Sequence, residues 1–318
     1  MRAVISPSGQ GDFTSLSQAA AALKDCKEPL ELYLENGPYE ERVFLEWENY
    51  TLTGESRDGV ILTAGAGAYH PHPQGGKTGT FRTATAFLGG GRCRVQNMTI
   101  RNTAGDGAQA GQALAVYADA AQVYMENVAL LGNQDTLFTA PLPLRERIPG
   151  GFTGPRKDVP RRPSRQLYRN CLIAGNIDFI FGGADSVFQC CTLRPLAHQE
   201  GDCYITAPST PQTQPFGYLF DRCRVEGTCA PGQVFLARPW RRYGAAGFLD
   251  CTFSREVHPQ VFDPWGDSEN RQTSRFFLWN CTGPEGSLSP AFGLEPDERL
   301  IQSAREHIAR RLELFQVK

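Results

Sequence analysis

The sequence predicts an all-β fold of the parallel β-helix type, and the spacing and composition of its repeats carry that prediction. Strand-like segments recur along the chain, and equivalent positions in successive segments are 30, 43, 20, 32, 28 and 30 residues apart. These positions, termed anchors, are Met98, Val128, Cys171, Cys191, Cys223, Cys251 and Cys281. Little helical periodicity lies between them, and repeats of this length built from short strands indicate a solenoid. In a parallel β-helix each turn stacks on the next at about 4.8 Å.

Five of the ten cysteines fall at anchor positions, which favours a structural role for them. A free cysteine behaves as a small apolar side chain, so we expect a ladder of buried, reduced thiols. A metal site is the alternative, but the chain contains no Cys-x-x-Cys pair. The repeats leave the other five unassigned: Cys26, Cys93, Cys190, Cys203 and Cys229.

A helix is expected at each end of the solenoid. Residues 15–24 predict a short helix that caps the unpaired strand edges at the N-terminal end. Residues 296–318 predict a second helical segment whose apolar stripe packs on the solenoid wall. The apolar positions are Leu16, Ala19, Ala20 and Leu23 in the first helix, and Leu300, Ala304, Ile308, Leu312 and Phe315 in the second. Because no linker interrupts the pattern, residues 1–318 are expected to form a single domain.

Composition and charge exclude several classes of protein. Of the 318 residues, 41% are hydrophobic and 21% are charged, as in an ordinary globular chain. A formal net charge of −2 gives no reason to expect a nucleic-acid partner. No apolar run reaches transmembrane length, and nothing in the sequence indicates an oligomer interface, so we expect a monomer without a membrane partner. The chain opens directly into a strand-like segment, which predicts a cytoplasmic protein; the alternative is a secreted protein whose signal was removed.

One segment interrupts the repeat. Residues 139–166 lengthen a single turn, and six prolines identify the segment as a loop. It contains seven cationic side chains against two acidic ones, a local net charge of +5. The cations are Arg145, Arg147, Arg156, Lys157, Arg161, Arg162 and Arg165.

The candidate site centres on two aspartates that occupy the same place in neighbouring turns. Asp135 and Asp178 each lie seven residues beyond an anchor, Val128 and Cys171 respectively. Stacking would place the carboxylates roughly 5 Å apart, and the pKa of one should rise unless a cation intervenes. Such a pair divides into a protonated acid and an ionised base or nucleophile. The spacing suits ester hydrolysis and a retaining glycosidase alike, whereas aspartates that only bond turn amides would be structural.

Two glutamines near the first aspartate favour ester chemistry. Gln134 precedes Asp135, and Gln112 lies at the end of the preceding turn. Neutral amide donors suit an oxyanion that forms at a carbonyl carbon, and a glycosidase has less need of them.

Six segments in a fixed order resemble the signature segments of the pectin methylesterases. They are Gly-Thr-Phe-Arg-Thr-Ala-Thr at 79–85, Asn-Thr-Ala-Gly at 102–105, Gln-Ala-Leu-Ala at 112–115, Gly-Asn-Gln-Asp-Thr-Leu at 132–137, Asp-Phe-Ile-Phe-Gly-Gly-Ala at 178–184 and Arg-Pro-Trp at 238–240. The resemblance runs from residues 3–13 through Trp265-Gly266 to Asn-Cys-Thr-Gly-Pro at 280–284, nearly the whole chain. It implies a right-handed parallel β-helix, in agreement with the repeats.

The resemblance also implies a role for each catalytic candidate. Asp178 would be the nucleophile, and Asp135 would be first the general acid and then the general base. Arg238 would hold Asp178 ionised and oriented. Gln112 and Gln134 would line the oxyanion site.

The substrate and its contacts are implied in the same way. The residues expected to contact the sugar chain are Thr80, Gln112, Phe138, Arg238 and Trp240. The implied activity is that of a carboxylic ester hydrolase, which removes methyl esters from galacturonan or imported oligogalacturonides without a metal or organic cofactor. Galacturonan is a polyanion wherever its esters have been removed. The cationic loop of residues 139–166 is therefore expected to bind free carboxylates beside the scissile ester, and the alternative is a solvated proline-rich loop whose charges face water.

Two alternatives stand beside the esterase: a β-helix glycosidase or lyase acting on the same polymer, and a non-catalytic carbohydrate-binding solenoid. The sequence also departs from the family pattern at three places. Ala237 stands where Gly usually precedes Arg-Pro-Trp, Asn176-Ile177 stand where Thr-Val is common, and the loop of residues 139–166 is long.

Overall fold

The computed structural model describes residues 1–199, 201–283, 286–288 and 290–317, and in it the chain coils into a parallel β-helix. Within these residues the named strands pair in parallel, apart from the last two. The solenoid predicted from the repeats is therefore confirmed. Pro284, which ends the last of the signature-like segments, lies outside the described residues.

The strands are short because each crosses only one side of the coil. In chain order they are β1 (Arg2–Ile5), β2 (Leu30–Leu34), β3 (Gly37–Glu40), β4 (Val43–Leu45), β5 (Asn49–Gly54), β6 (Val60–Ala64), β7 (Ala86–Leu88), β8 (Arg92–Asn102), β9 (Val116–Ala118), β10 (Gln122–Leu131), β11 (Leu137–Thr139), β12 (Arg165–Arg169), β13 (Leu172–Gly175), β14 (Ile180–Gly182), β15 (Asp185–Gln189), β16 (Thr192–Pro195), β17 (Cys203–Pro208), β18 (Tyr218–Asp221), β19 (Arg224–Val225), β20 (Val234–Ala237), β21 (Ala245–Leu249), β22 (Thr252–Phe253), β23 (Arg275–Trp279), β24 (Thr282–Gly283) and β25 (Gly286–Ser287).

Successive turns stack to form three faces. The first face contains β1, β2, β5, β8, β10, β12, β15, β18, β21 and β23. The second contains β3, β6, the later parts of β8 and β10, and then β13, β16, β19, β22 and β24, with β25 antiparallel to β24. The third face, which carries the candidate site, contains β4, β7, β9, β11, β14, β17 and β20.

A residue in the left-handed conformation precedes every anchor and turns the chain from the first face to the second. These residues are Asn97, Asn127, Asn170, Cys190, Arg222, Asp250 and Asn280, with φ between 51° and 54°. Asn and Asp tolerate this conformation because their short polar side chains can bond locally, and Asn127 donates to Oδ1 of Asn97 at 2.9 Å. Met98 lies opposite Val128, and the later turns continue the same register, so the predicted anchors are equivalent.

The five anchor cysteines are buried and unpaired, as expected for a structural ladder. Each Sγ donates to a main-chain carbonyl of the preceding turn, at 3.3–3.6 Å. Burial raises the pKa of Cys171 well above the usual thiol value, which keeps the donated proton on the sulfur. Among the cysteines left unassigned, Cys203 at the start of β17 and Cys229 in the turn before β20 have their sulfur atoms 3.0 Å apart.

An apolar core fills the coil from Ala3 to Cys281. Rings at one position of successive turns stack on each other at 4.5–4.7 Å between centroids. These rings belong to Tyr168, Phe188, Phe220 and Phe248, and strand register places them opposite one another. Their regular stacking ties the spacing of the turns to side-chain packing as well as to backbone hydrogen bonds.

The two predicted terminal helices are present, each slightly shorter than expected. The first, α1 (Leu16–Ala22), starts after Ser15, whose side chain caps it by accepting from the Gln18 amide. Two single-turn helices follow in the chain, α2 (Gly107–Ala110) and α3 (Asn270–Thr273). The last, α4 (Glu298–Leu314), starts two residues later than predicted because Asp297 accepts from the Leu300 amide and caps it.

Helix α4 packs on the outer side of the first face, as its apolar stripe predicted. Ile301, Ala304 and Ile308 are buried there, and the ring of Phe315 stacks on Tyr124 at 5.5 Å. The stripe also contains Arg311, which is buried and bonds Asp185 at 2.7 Å. In the part of the chain that the structure describes, no helix has both the length and the apolar character needed to cross a membrane.

Candidate active site

Asp135 and Asp178 occupy equivalent positions of neighbouring turns, as predicted. Leu137 of β11 lies opposite Ile180 of β14, and each aspartate comes two residues earlier in its own turn. Both residues are only 7% exposed, and both are left-handed, with φ of 64° for Asp135 and 49° for Asp178. A left-handed residue turns the chain sharply into the third face, and Asp tolerates that conformation better than most side chains. Local backbone geometry thus places the two carboxylates at the same edge of this face.

Arg238 holds one of the two carboxylates in a fixed orientation. It follows β20, and its Nε and Nη2 atoms each donate to a different oxygen of Asp178 at 2.7 Å. The guanidinium plane lies between two aromatic rings, 3.7 Å from the centroid of Tyr204 and 3.9 Å from that of Trp265. Two parallel hydrogen bonds and two ring contacts leave the guanidinium little rotational freedom. Ala237, at the position where the family usually has Gly, is buried in β20 and leaves Arg238 in place.

Burial and charge separate the two carboxyl groups electrostatically. Burial raises the pKa of Asp135 well above its usual value, and the charge of Asp178 raises it further. Burial raises the pKa of Asp178 too, but the charge and hydrogen bonds of Arg238 offset part of that rise, so the pKa of Asp178 is raised less than that of Asp135. Burial would lower the pKa of Arg238, but the charge of Asp178 reverses the effect and the pKa is raised. Asp178 is therefore the carboxylate stabilised as an anion, and Asp135 is the group that retains a proton.

The two aspartates line a cavity of about 320 Å³. One wall of the cavity, the entry wall, consists of chain that leads into the third face, and it includes Thr80, Gln112 and Gln134. Among the described residues, the side-chain amides of Gln112 and Gln134 have no hydrogen-bond partner, so both remain available to a substrate oxygen. The structure thus brings the predicted amide donors into one cavity with the carboxylates.

The opposite wall, the exit wall, consists of chain that leaves the third face. It includes Trp240 and Arg241 after β20, together with Arg147 and Phe152 from the long loop. Arg241 donates to the carbonyl of Arg145 at 3.2 Å, which joins the loop to the β20 side of the site. Burial and the nearby charge of Arg147 lower the pKa of Arg241 to about 10.

The position of Phe138 corrects the expectation that it contacts the sugar chain. Phe138 is 0% exposed and does not line the cavity. Its ring lies under Phe81 at 5.0 Å and between Tyr117 and Phe181 at 4.7 and 4.9 Å. It follows the aspartate motif in sequence and its ring faces outward from the coil, but the ring of Phe81 and the neighbouring rings cover it.

The long loop also differs from the expectation that its cations act together on substrate. Arg156 is bound to Asp119 at 2.6 Å and to Glu46, and Arg161 donates to main-chain carbonyls of the loop itself. Of the seven loop cations, Arg147 alone is among the described residues that line the cavity. The local net charge of +5 therefore overestimates the charge that faces the site.

Several residues that shape the cavity were not predicted from the sequence. Tyr204 and Trp265 fix Arg238, while Phe152 and Arg241 form part of the exit wall. Trp265 lies in a signature-like Trp-Gly pair, which was a usable signal. Nothing in the local sequence distinguishes Tyr204 or Phe152, because their roles depend on contacts between distant turns.

Comparisons with known proteins agree with this fold. The sequence profile of the family described as Pectinesterase matches residues 2–142 and 159–291. A probable pectinesterase/pectinesterase inhibitor of Arabidopsis thaliana, number 64, is 30% identical over 270 residues, which cover 79% of this chain and 40% of the relative. Pectinesterase 31 of the same plant is 27% identical over 295 residues, covering 90% of this chain and 83% of the relative. A crystal structure of a pectin methylesterase in complex with a hexasaccharide superposes with a TM-score of 0.78 at 24% identity, covering 95% of this chain and 94% of that chain.

The fold and the site together define a class of protein. It is that of the right-handed parallel β-helices in which two aspartates of neighbouring turns lie beside an arginine that bonds both oxygens of one of them. The chain belongs to the Pectinesterase family, whose profile matches most of its length. Residues 143–158, between the two matched parts, fall within the long loop. The chain spans less than half the length of the first relative, so the activity of the whole protein is treated below as a proposal.

Replacing each aspartate by asparagine should change stability in opposite directions. When folding raises a carboxyl pKa, the stability it contributes is fully present below the unfolded-state pKa of about 3.9 and is lost as pH rises through the folded pKa. Asp135→Asn removes that loss, so its melting temperature should match the wild type near pH 4 and exceed it near pH 7.5, by about 2 °C for every kcal/mol regained. Asp178→Asn leaves buried Arg238 without its anion and should lower stability by about 3–5 kcal/mol.

Thermal unfolding of both variants across this pH range is the measurement, with Asp158→Asn as an exposed control from the loop. If Asp178→Asn were the more stable variant near neutral pH, the assignment of the anion to Asp178 would be reversed.

Proposed function

We propose that the protein is a pectinesterase that hydrolyses the methyl esters of galacturonan and releases methanol. The observation that carries the proposal is the division of the aspartate pair, with Asp178 held as an anion by Arg238 and Asp135 kept protonated by burial. Two unpaired amides in the same cavity support it, as does the likeness to a pectin methylesterase that was crystallised with a hexasaccharide.

In the proposed first step, a carboxylate oxygen of Asp178 attacks the carbonyl carbon of the methyl ester. The carbonyl oxygen becomes an oxyanion, and the amides of Gln112 and Gln134 donate hydrogen bonds to it. As the tetrahedral intermediate collapses, Asp135 transfers its proton to the departing methoxide. Methanol leaves, and the substrate acyl group is joined to Asp178 as an anhydride.

In the second step, water hydrolyses the anhydride. Asp135 is now a carboxylate, and it removes a proton from the attacking water as a general base. Cleavage restores the Asp178 carboxylate, frees the acid form of the sugar and leaves Asp135 protonated for the next cycle. Arg238 remains bound to Asp178 in the free enzyme and orients the attacking oxygen.

Replacing each aspartate by asparagine should distinguish the nucleophile from the general acid by the size of the loss in activity. Asp178→Asn should abolish methanol release because an amide cannot form the acyl intermediate. Asp135→Asn should lower kcat by about 10²–10⁴-fold, the usual loss of a general acid–base. The assay measures methanol, reducing ends and unsaturated products together from highly methylated oligogalacturonides.

Near-normal methanol release by Asp178→Asn would show that another group is the nucleophile. The same assay tests the other two functions. Reducing ends would indicate a glycosidase and unsaturated products a lyase, whereas binding without any product would indicate a carbohydrate-binding solenoid.

Removal of either amide should act on kcat rather than on substrate binding. Gln112→Ala and Gln134→Ala should each lower kcat about 10²–10³-fold with little change in KM, because the oxyanion exists only in the transition state. Gln109→Ala, an exposed neighbour on α2, is the matched control. A rise in KM at unchanged kcat would reassign the two residues to ground-state binding.

Charge at the exit wall supports a preference for substrate that is already partly demethylated. Asp135 is protonated and Asp178 is neutralised by Arg238, so the remaining charged side chains that line the cavity are Arg147 and Arg241. We propose that these two guanidinium groups bind a free carboxylate on a sugar next to the methyl ester.

The double variant Arg147→Ala/Arg241→Ala should lose this preference. On partly methylated oligomers kcat/KM should fall about tenfold, since exposed ion pairs contribute up to about 1 kcal/mol each. On fully methylated oligomers kcat/KM should change little, and the salt dependence of the wild-type preference should disappear. Lys157→Ala removes an exposed loop charge outside the cavity and serves as control. A double variant that retains both the preference and its salt dependence would eliminate this carboxylate site.

Whether the protein is cytoplasmic or secreted can be tested through a pair of cysteines. The two relatives described above are plant proteins named as pectinesterases, and they do not support the cytoplasmic location expected from the sequence. The pair Cys203 and Cys229, 3.0 Å apart, offers an internal reporter. An oxidising compartment would join these sulfur atoms, whereas the cytoplasm would keep them reduced.

A further inference from the structure

Outward-facing side chains of the third face form a column of aromatic rings along the coil. Phe44, Phe87, Tyr117, Phe138 and Phe181 occupy equivalent positions in successive strands. Neighbouring centroids are 4.1–4.9 Å apart. The entry and exit walls rise on either side of the column, so the third face forms the floor of a cleft that runs along the coil.

The cleft is divided into two cavities. The first, of about 320 Å³, contains the aspartate pair. The second, of about 690 Å³, lies toward β4 and is lined by Phe44, Phe87 and His70 among others. Phe81, on the entry wall, lines both cavities and lies at the division between them.

The division is made by residues 152–156 of the long loop, termed the bridge, which extend from the exit wall to Phe81 of the entry wall and return to the exit side. Phe152 is buried with its ring 5.8 Å from that of Phe81. Gly154 packs so closely on Phe81 that a Cβ atom added to it would lie 2.8 Å from the Cβ of Phe81. Space between the bridge and the entry wall is therefore closed at this point.

The C-terminal end of the bridge is held on the exit side, by Asp119 after β9 and Glu46 after β4. Arg156 lies over the ring of Phe87 at 4.8 Å and pairs with Asp119 at 2.6 Å and with Glu46. Arg161 donates to the carbonyl of Arg156 at 2.6 Å, and its side chain also bonds the carbonyl of Pro143 near the start of the loop. These contacts hold the C-terminal end of the bridge, and the packing of Phe152 and Gly154 on Phe81 holds the rest, so the bridge is part of the wall structure.

We propose that the bridge restricts the site to short oligogalacturonides and chain ends. This proposal rests on the proposed function and names the class of substrate for it. Asp135 directly precedes β11, and β11 is two strands from β7, so a polymer lying along the third face would meet the bridge within about 10 Å. The interior of a long chain needs room on both sides of the reacting ester, and the bridge removes one side. The catalytic cavity also lies at the lower end of the usual range for ligand pockets, about 300–1,000 Å³.

The bridge belongs to this chain rather than to the family pattern. It lies within residues 143–158, which the Pectinesterase profile leaves unmatched. Removing the segment should therefore join the two cavities into one cleft without disturbing the coil. This makes a deletion the natural experiment.

The experiment compares methanol release from methyl-esterified trigalacturonate and from long pectin of the same degree of esterification. For the wild type we expect kcat/KM per ester to be about tenfold or more higher on the trimer. The deletion variant joins Pro143 to Val159 through Gly-Ser-Gly. Because it also removes Arg147 and Phe152 from the cavity, the readout is the ratio of kcat/KM on pectin to kcat/KM on the trimer, which we expect to rise about tenfold. Arg156→Ala, which frees the bridge from Asp119 and Glu46 without shortening the chain, should shift the ratio in the same direction. Lys157→Ala, exposed in the same segment, is the control that should leave the ratio unchanged.

The outcomes distinguish failure of the length restriction from failure of the proposed esterase function. Equal wild-type rates on trimer and pectin would overturn the length restriction while leaving the esterase assignment intact. A ratio that neither the deletion nor Arg156→Ala changes would overturn the role of the bridge. If no substrate of any length yields methanol, the proposed function fails and the length restriction fails with it.

Discussion

In-register stacking of parallel turns is the constraint on which the rest of the molecule depends. Each strand satisfies its backbone hydrogen bonds only with the turns before and after it, so any residue type repeated at one position forms a column about 4.8 Å apart. The anchor thiols, the left-handed asparagines and the aromatic floor of the cleft are all columns of this kind. Asp135 and Asp178 form the shortest such column, and their closeness follows from register rather than from a dedicated loop.

Two buried carboxylates this close together would destabilise the fold if both were ionised, and Arg238 compensates the charge of one of them. Two buried carboxylates repel each other and lose hydration, so one must be neutralised. Arg238 neutralises Asp178 and leaves Asp135 to retain its proton. The guanidinium is itself costly to bury, and its position between Tyr204 and Trp265 replaces water with two aromatic faces. The chemistry of the site therefore depends on packing from three separate turns.

The long loop shows how a rigid coil accommodates specificity. The coil tolerates an insertion at a turn because the strands on either side still stack, and the turn after β11 is one strand from β14, which follows Asp178. Two of the loop's seven cations, Arg156 and Arg161, hold the loop itself in place. What the loop adds to the cavity is Phe152, Ile148 and Arg147, a mixture of apolar wall and positive charge. The catalytic pair and the shape of the cavity are thus specified by different parts of the chain.

The sequence by itself determined the coil, its anchors, the terminal helices and the equivalence of Asp135 and Asp178, because each of these depends on periodicity, and periodicity is visible in one dimension. It also indicated the glutamines and Arg238, through segments that resemble a family. Only the tertiary structure decided which residues hold Arg238, that Phe138 is packed away from the cavity, and that one loop cation in seven faces the site. These outcomes depend on contacts between turns far apart in sequence and on the course of an irregular loop, and neither leaves a repeating pattern in the chain.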